Sequence, residues 1–579
     1  MIRLIQRFEE AFSPKQLLYL FLSIWFLINL TQAFFTGLHP DEAYYWIYSK
    51  FLDWGYFDHP PMVALYIKAG DLLMHNTLGL RLLTAITNTF AIYVLWQTVK
   101  PYGKNLPLFI VLFSSVLIFH VYGFITSPDA PLYFFTILFL YAYQQYLKAY
   151  ATSWAVALGI LAAALLLSKY HGVLVIFFVL LSNLRLFKQG SFWLAMVIAF
   201  MLFAPHVYWQ VLNDFPSIKY HLFERSASPY KFEYTAQYFL DQLLMMGPLM
   251  GWYLFSNAWK QSATGDAFLR ALKFLVYGVF IFFFLNTFKG RVQAHWPLIE
   301  FIPLFILAYI QLSKTNLKRS YQILLTIGIS LILLTRLILI AAPEPLQKLK
   351  FLGNYYGYES WAKDISLAAN GAPVIFQDGF QAPSYYNFYN NTLKGFGYNS
   401  YGYRKTQFDI WPIEDSLQSK KVLYVLDRPF VDTAGQFIIK TNKAELFGKF
   451  VYKARLYQKL QFTPQEYFED WKPGETRTSE FLVSNPYNFE VNFADQEGES
   501  AVELLYGFYQ LGQVVQVTSI SNPYKQLKVP ANGHTRINLD IQAPKEPGKY
   551  MLFIAVRTAP FPGSRNSGMI KMNVIKSHE

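Results

Sequence analysis

No cysteine occurs among the 579 residues. This excludes disulfides and thiolate metal sites, although it does not fix the redox compartment. Charge is scarce as well: Asp, Glu, Lys and Arg make up 15% of the chain and apolar residues 54%. Ordinary soluble domains carry nearer to ~25% charge, so much of this chain is not built to face water. No internal repeat is visible, and no GxxxxGK[ST] phosphate loop occurs. Any phosphate bound here therefore does not belong to a nucleotide held in a P-loop fold. The net charge of +13 is spread over short loops rather than gathered on one face, which argues against nucleic acid as a partner.

What the chain does have is apolar runs of helical length, concentrated in residues 1–341. A bilayer is crossed by roughly 20 apolar residues in a helix, and on that measure about eleven spans are expected. They fall near Leu17–Phe35, Leu80–Val99, Leu106–Phe124, Ala130–Leu147, Trp154–Leu167, Gly172–Leu186, Phe192–Trp209, Tyr238–Phe255, Phe268–Phe288, Trp296–Leu312 and Ile323–Ile340. The first run follows Arg3, Arg7 and Lys15, is too long for a signal-peptide core and lacks a small-residue cleavage site, so it reads as a retained span. With the N-terminus inside, Lys100, Lys104, Lys148, Arg185, Lys188, Lys260, Arg270, Lys314, Lys318 and Arg319 fall in inner loops, as the positive-inside rule requires. An odd span count then places everything after the last span outside.

Asp41, Glu42, Asp58, His59, Asp129, Lys169, His171, Lys289, Arg291 and His295 all fall at the outer ends of spans or in outer loops. The cations Lys169, Lys289 and Arg291 break the charge rule there. Any one of them reads as a snorkelling side chain, but their convergence on one face points to a site. His39-Pro40-Asp41-Glu42 precedes aromatics at helical spacing, Tyr44, Tyr45, Trp46, Tyr48 and Phe51, which predicts a helix lying in the interface plane. Asp41 reads both as a cap of that helix and as a carboxylate able to take a proton from an attacking hydroxyl. Asp58-His59-Pro60-Pro61 ends the segment. Its Asp-His pair is a weak candidate for a divalent metal, the one cofactor the sequence leaves open. Ser127 or Asp129 reads as a cap of the fourth span. Ser168-Lys169-Tyr170-His171 and Lys289-Gly290-Arg291 read as partners for a lipid phosphate, and His295-Trp296 as their neighbour or as part of an interfacial aromatic belt.

Together these motifs resemble those of the bacterial GT-C glycosyltransferases, in the group that holds the protein O-mannosyltransferases and the lipid A aminoarabinose transferase (glycosyltransferase family 39-like). The likeness runs from about Leu17 to Ile340. It implies a GT-C membrane fold and transfer of a sugar from a polyprenyl-phosphate donor to an acceptor on the outer side: a glycolipid such as lipid A, a glycan or a protein hydroxyl. Mapped by motif, it implies that Asp41, Glu42 and Asp58 are catalytic, with Asp41 the base of an inverting displacement. His59, Asp129, Lys169, Tyr170, Lys289, Arg291 and His295 would bind the donor. The aminoarabinose branch carries Glu-Lys before its two prolines, where this chain carries Asp58-His59. The implied location is a bacterial inner membrane, with the site and the C-terminal part on the periplasmic side.

Residues 342–460 read as a small α/β domain, with a helix over Tyr358–Ala369 and strands at Pro373–Phe376 and Lys421–Leu426. Residues 461–579 read as an immunoglobulin-like β-sandwich, from alternating segments at Ser479–Val483, Val514–Ser519, Thr535–Ile541 and Tyr550–Arg557. Two other readings stay open at this level. The same charges would line the path of a transporter or flippase for a lipid-linked glycan, and a non-catalytic envelope-assembly protein would use the β-rich part.

Overall fold

In the computed structural model the described residues are 12–221, 230–342, 344–347, 349–494, 501–521 and 524–575; Arg3 and Arg7 lie outside them. The chain separates into two compact units, Met1–Tyr356 and Gly357–Glu579. The first unit is helical. It runs through α1 (Pro14–Phe35), α2 (Pro40–Lys50), α3 (Met62–Asp71), α4 (Thr77–Val99), α5 (Leu106–Ser115), α6 (Leu117–Val121) and α7 (Asp129–Ala149). It continues through α8 (Thr152–Ser168), α9 (Gly172–Ser182), α10 (Gly190–Leu212), α11 (Phe232–Met246), α12 (Gly251–Lys260), α13 (Ala267–Asn286), α14 (Leu298–Leu312) and α15 (Arg319–Ala341). Five of these, α1, α4, α10, α13 and α15, are long and apolar enough to cross a membrane, and α5, α8, α9 and α14 are shorter apolar helices.

Two expected spans are broken in mid-run, and a third, Gly172–Leu186, gives way after Ser182 to a 3-10 turn. The run Leu106–Phe124 is interrupted at Val116, whose backbone is extended. The run Tyr238–Phe255 is interrupted at Gly247, with φ of 152°. The interruptions meet: a Cβ on Gly247 would stand 2.9 Å from the Ser115 carbonyl oxygen. Hydrophobicity alone does not reveal such breaks, because irregular backbone at membrane depth is tolerated where protein covers it.

The interfacial helix also differs from expectation. Instead of keeping a wet face, α2 has Glu42 through Ser49 buried. Its far end is pinned to α3 by Asp71, which accepts from Trp46 Nε1 at 2.9 Å and Lys50 Nζ at 2.6 Å and sits 2.9 Å from His75 Nδ1. Burial works to raise the Asp71 carboxyl, but the hydrogen bonds from His75, Lys50 and Trp46 more than offset it and hold it well below the usual carboxylate range.

The second unit opens with α16 (Tyr358–Ala369) and a five-stranded sheet. Strands β1 (Val374–Gln377), β2 (Gly395–Tyr398) and β3 (Val422–Leu426) pair in parallel, in the order β2-β1-β3; β5 (Glu445–Val451) and β4 (Gln436–Lys440) extend the β3 edge antiparallel. Helix α17 (Gln381–Tyr389) makes the crossover between β1 and β2. Beyond it, a three-stranded sheet centred on Thr476–Ser484 and a six-stranded sheet centred on Val502–Gln510 and Gly548–Thr558 share one core. Phe481, Val483, Leu539 and Ile541 of the first are buried with Leu504, Phe508, Leu552 and Ile554 of the second.

Candidate active site

The site is built outward from the start of α2. His39 caps the helix through Nδ1, which accepts from the Asp41 amide at 3.3 Å, and Glu42 reciprocates by accepting from the His39 amide at 3.0 Å. This reciprocal box satisfies two orphan amides. The cap is thus His39 with Glu42, not Asp41.

Glu42 is wholly buried. Arg81 reaches it from α4 with Nε at 2.8 Å and Nη2 at 2.5 Å, and the Thr126 amide adds a third donor at 2.9 Å. Arg81, itself without exposed surface, spends its other hydrogens on the carbonyls of Ala33 (3.1 Å), Thr36 (2.7 Å) and Gly37 (2.9 Å). One ion pair therefore ties together the end of α1, the start of α2, α4 and the turn before α7. A bidentate guanidinium–carboxylate pair combines charge with a fixed planar geometry.

Asp41 is different. Its side chain is 44% exposed, 3.7 Å from His39 Nδ1. Asp58 and Asp129 are buried and held from other directions. Asp58 Oδ2 accepts from Tyr44 at 3.1 Å and from Tyr48 at 3.4 Å. The loop that carries it is clamped to α10: Trp209 Nε1 donates to Asp53 at 2.8 Å, and His206 Nδ1 lies 2.7 Å from the Trp54 carbonyl oxygen. Gly55 makes that approach possible, since a Cβ there would sit 2.4 Å from the Trp209 ring. Asp129, in the first turn of α7, accepts from Lys169 Nζ at 2.7 and 2.9 Å and lies 3.8 Å from His295 Nε2. The Asp129 carboxylate thus goes to Lys169, while Ser127 Oγ accepts from the Asp129 amide at 3.3 Å.

Tyr45 unites these groups. It is one turn along α2 from Asp41 and buried. Its hydroxyl is held well above its ordinary range, by burial first and then by the fields of Asp41, Asp58 and Asp129 in that order. The fields of three carboxylates, from the start of α2, from the loop after it and from the start of α7, thus reach one buried phenol. His59 stands beside it, with ring centroids 5.7 Å apart. Tyr170 lies 3.3 Å from His206 Nε2 and accepts from Gln210 at 3.0 Å, and its ring is 5.7 Å from that of His221. The hydroxyl of the half-buried Tyr355 is raised to about 12, by burial and then by Glu42, with Arg81 opposing. Lys289 and Arg291 are exposed in the loop between α13 and α14 that leads to His295. Among the described residues no three metal-ligating side chains gather.

Sequence reasoning passed over Arg81, Tyr45, His206 and Tyr355. Arg81 carried a readable signal: it is a lone guanidinium at the outer start of an apolar span, and intramembrane charges are costly enough to need a partner. Tyr45 carried none, being one aromatic among several.

Residues 58–209, from Asp58 to the end of the α10 clamp, match the family model for dolichyl-phosphate-mannose-protein mannosyltransferase. A lipid A galacturonosyltransferase, RgtD, of Rhizobium johnstonii is 24% identical over 314 residues. That alignment covers 51% of this chain and 65% of the relative, just under two thirds of its length. The crystal structure of ArnT from Cupriavidus metallidurans in the apo state superposes with a TM-score of 0.56 at 15% identity, covering 74% of this chain and 97% of that one. The same protein bound to undecaprenyl phosphate gives 0.56 at 14% identity, with the same coverage. The chain shares the fold of that structure over about three quarters of its length, 74%. The matched family segment holds Asp58, His59, Asp129, Lys169 and Tyr170, while Asp41 and Glu42 precede it and Lys289, Arg291 and His295 follow it.

Proposed function

We propose that this membrane GT-C protein transfers a sugar from a polyprenyl-phosphate donor to a hydroxyl of an extracytoplasmic acceptor, with Asp41 as the general base. The observations that carry the reading are geometric: α2 bears the exposed Asp41 and holds Asp58 through Tyr44 and Tyr48, while Asp129 holds Lys169 with His295 3.8 Å away; the fields of all three carboxylates reach the buried Tyr45. The acceptor oxygen attacks the anomeric carbon as its proton passes to Asp41, and the bond from that carbon to the phosphate oxygen breaks. Of the three carboxylates Asp41 is the exposed one, so an acceptor can reach it. The departing polyprenyl phosphate is an anion, which cations stabilise as its charge grows. Lys169, held in place by Asp129, and Lys289 and Arg291, on the loop leading to His295, are the cations for that role. Asp58 and His59 shape the sugar pocket from beside Tyr45. Glu42 positions α2 rather than reacting, because its oxygens are taken by Arg81 and two amides.

In this reading eleven crossings put the site and the second unit, with its α/β part and immunoglobulin-like sandwich, on the periplasmic side of a bacterial inner membrane. Relatives named for lipid A and undecaprenyl phosphate make a lipid A-type glycolipid the first acceptor to offer. The test is full-length protein in proteoliposomes with polyprenyl-phosphate sugars and panels of glycolipid, glycan and peptide acceptors, read by mass spectrometry of products. Transfer that requires Asp41 supports the proposal. Translocation of a lipid-linked glycan without transfer would assign the charges to a transport path instead.

A further inference from the structure

Far from the carboxylate cluster, a lysine sits in an apolar groove of the helical unit. The groove, about 100 Å³, lies between α12, α13 and α14 and is lined by Trp259, Lys273, Tyr277, Phe280, Leu304 and Leu307 among others. Helix α13 fixes its depth. Asn286, at one end, leads to Lys289 and His295; Lys273 lies two turns from the other end, toward the opposite face of the membrane. Lys273 Nζ donates to the Trp259 carbonyl oxygen at 2.6 Å and to the Tyr277 hydroxyl at 3.1 Å. Both partners are neutral, and among the described residues no carboxylate pairs with it. An ammonium has three hydrogens, so one hydrogen is left over, and the charge meets neutral groups only, these two and the Tyr277 ring with its centroid 5.5 Å from Nζ, where a cation is expensive.

The surroundings favour an anion. Trp259 is 71% exposed and marks an interfacial rim. Lys260 is exposed immediately beyond it. Arg270, one turn before Lys273, uses Nε on the Ser182 carbonyl oxygen at 2.8 Å, again a neutral partner. Below the lysine the groove is walled by Phe280, Leu304 and Leu307. A charged end above an apolar slot is the shape and polarity of one phospholipid. We infer that this groove holds a bilayer phospholipid with an anionic headgroup, its phosphate on Lys273 and an acyl chain against α13 and α14.

Basic pockets between membrane helices bind anionic headgroups through such charges, and one lysine at a membrane surface is worth about a fivefold preference. The test reconstitutes the full-length protein in phosphatidylcholine vesicles with a minority of phosphatidylglycerol, extracts it gently and counts retained lipids by native mass spectrometry. The wild type should retain one phosphatidylglycerol in preference to phosphatidylcholine. Lys273→Met should lose about fivefold of that preference, and Lys273→Arg should keep it. Lys148→Met, at an exposed lysine bonded to Gln145, should leave it unchanged, and equal melting temperatures would show that all variants are folded. Equal retention of the two lipids by the wild type, or an undiminished preference in Lys273→Met, would overturn the inference. So would polyprenyl phosphate displacing phosphatidylglycerol from the wild type but not from Lys273→Met, since the groove would then belong to the lipid carrier.

Discussion

Asp41 and Glu42 are neighbours in sequence, yet removing the charge of each should damage different properties. Glu42 receives four hydrogen bonds, from Arg81 Nε, Arg81 Nη2, the His39 amide and the Thr126 amide. In Glu42→Gln the new amide group must face two of those donors whichever way it is turned, and Arg81 is left fully buried without its anion. Breaking a buried pair in this way costs about 3–5 kcal/mol. Asp41→Asn removes a carboxylate that is 44% exposed and 3.7 Å from His39, for which about 0–1 kcal/mol is expected. The cap is unaffected because His39 and Glu42 make it. Activity should show the opposite emphasis: losing a general base is worth roughly 10²–10⁴ in rate. Thermal unfolding by intrinsic fluorescence, paired with transfer rate per folded molecule, separates the two. Asp41→Asn should melt like wild type and be inactive, while Glu42→Gln should melt far lower. A Glu42→Gln protein with wild-type melting would refute the Arg81 hub, and near wild-type transfer by Asp41→Asn would move the base to Asp58 or Asp129.

Lys169→Met leaves Asp129 buried without its principal cation, so it should cost about 3–5 kcal/mol. Combining it with Asp129→Asn should restore most of the melting temperature but not donor use, measured as KM for the polyprenyl-phosphate sugar. Gly55→Ala puts a Cβ 2.4 Å from the Trp209 ring. It should cost about 1–3 kcal/mol as an overpacking change and lower transfer by shifting Asp58, visible as altered Trp fluorescence. In the second unit, burial raises the Glu414 carboxyl to about 7 from 4.5, against the Tyr487 hydrogen bond. The folded form keeps its proton up to about pH 7 while the unfolded form has released it, so stability from this group is present at pH 5 and lost as pH rises through 7. The difference is up to about 3 kcal/mol. Hydrogen exchange of the second unit in the intact chain, corrected for intrinsic rate, should show it, and Glu414→Gln should flatten it.

Local pattern was enough to place many elements. The helix Tyr358–Ala369 and the strand at Val422–Leu426 were legible because period and turn chemistry are short-range properties. The candidates Asp41, Asp58, Asp129 and Lys169 stand out in the sequence because charges are conspicuous against apolar runs. Their partners do not. That Asp129 takes Lys169 and Glu42 takes Arg81 depends on which helix ends are adjacent, and no periodicity encodes that. The breaks at Val116 and Gly247 were hidden for a related reason: a run of apolar residues reads the same whether or not the backbone is helical throughout.

Those two breaks carry a consequence for biogenesis. Val116 leaves the ribosome long before Gly247, and chains fold from the N-terminus as they are made. In the interval the irregular backbone at Ser115–Val116 lacks the Gly247 segment that packs against it, and lipid is a poor neighbour for a carbonyl outside a helix. The half-made chain therefore exposes irregular backbone that its own later half goes on to cover. The first spans are expected to stay close to the insertion machinery or in a wet environment until α11 and α12 arrive. A truncation after α10 should be a target for membrane quality control even though each of its long helices inserts well alone.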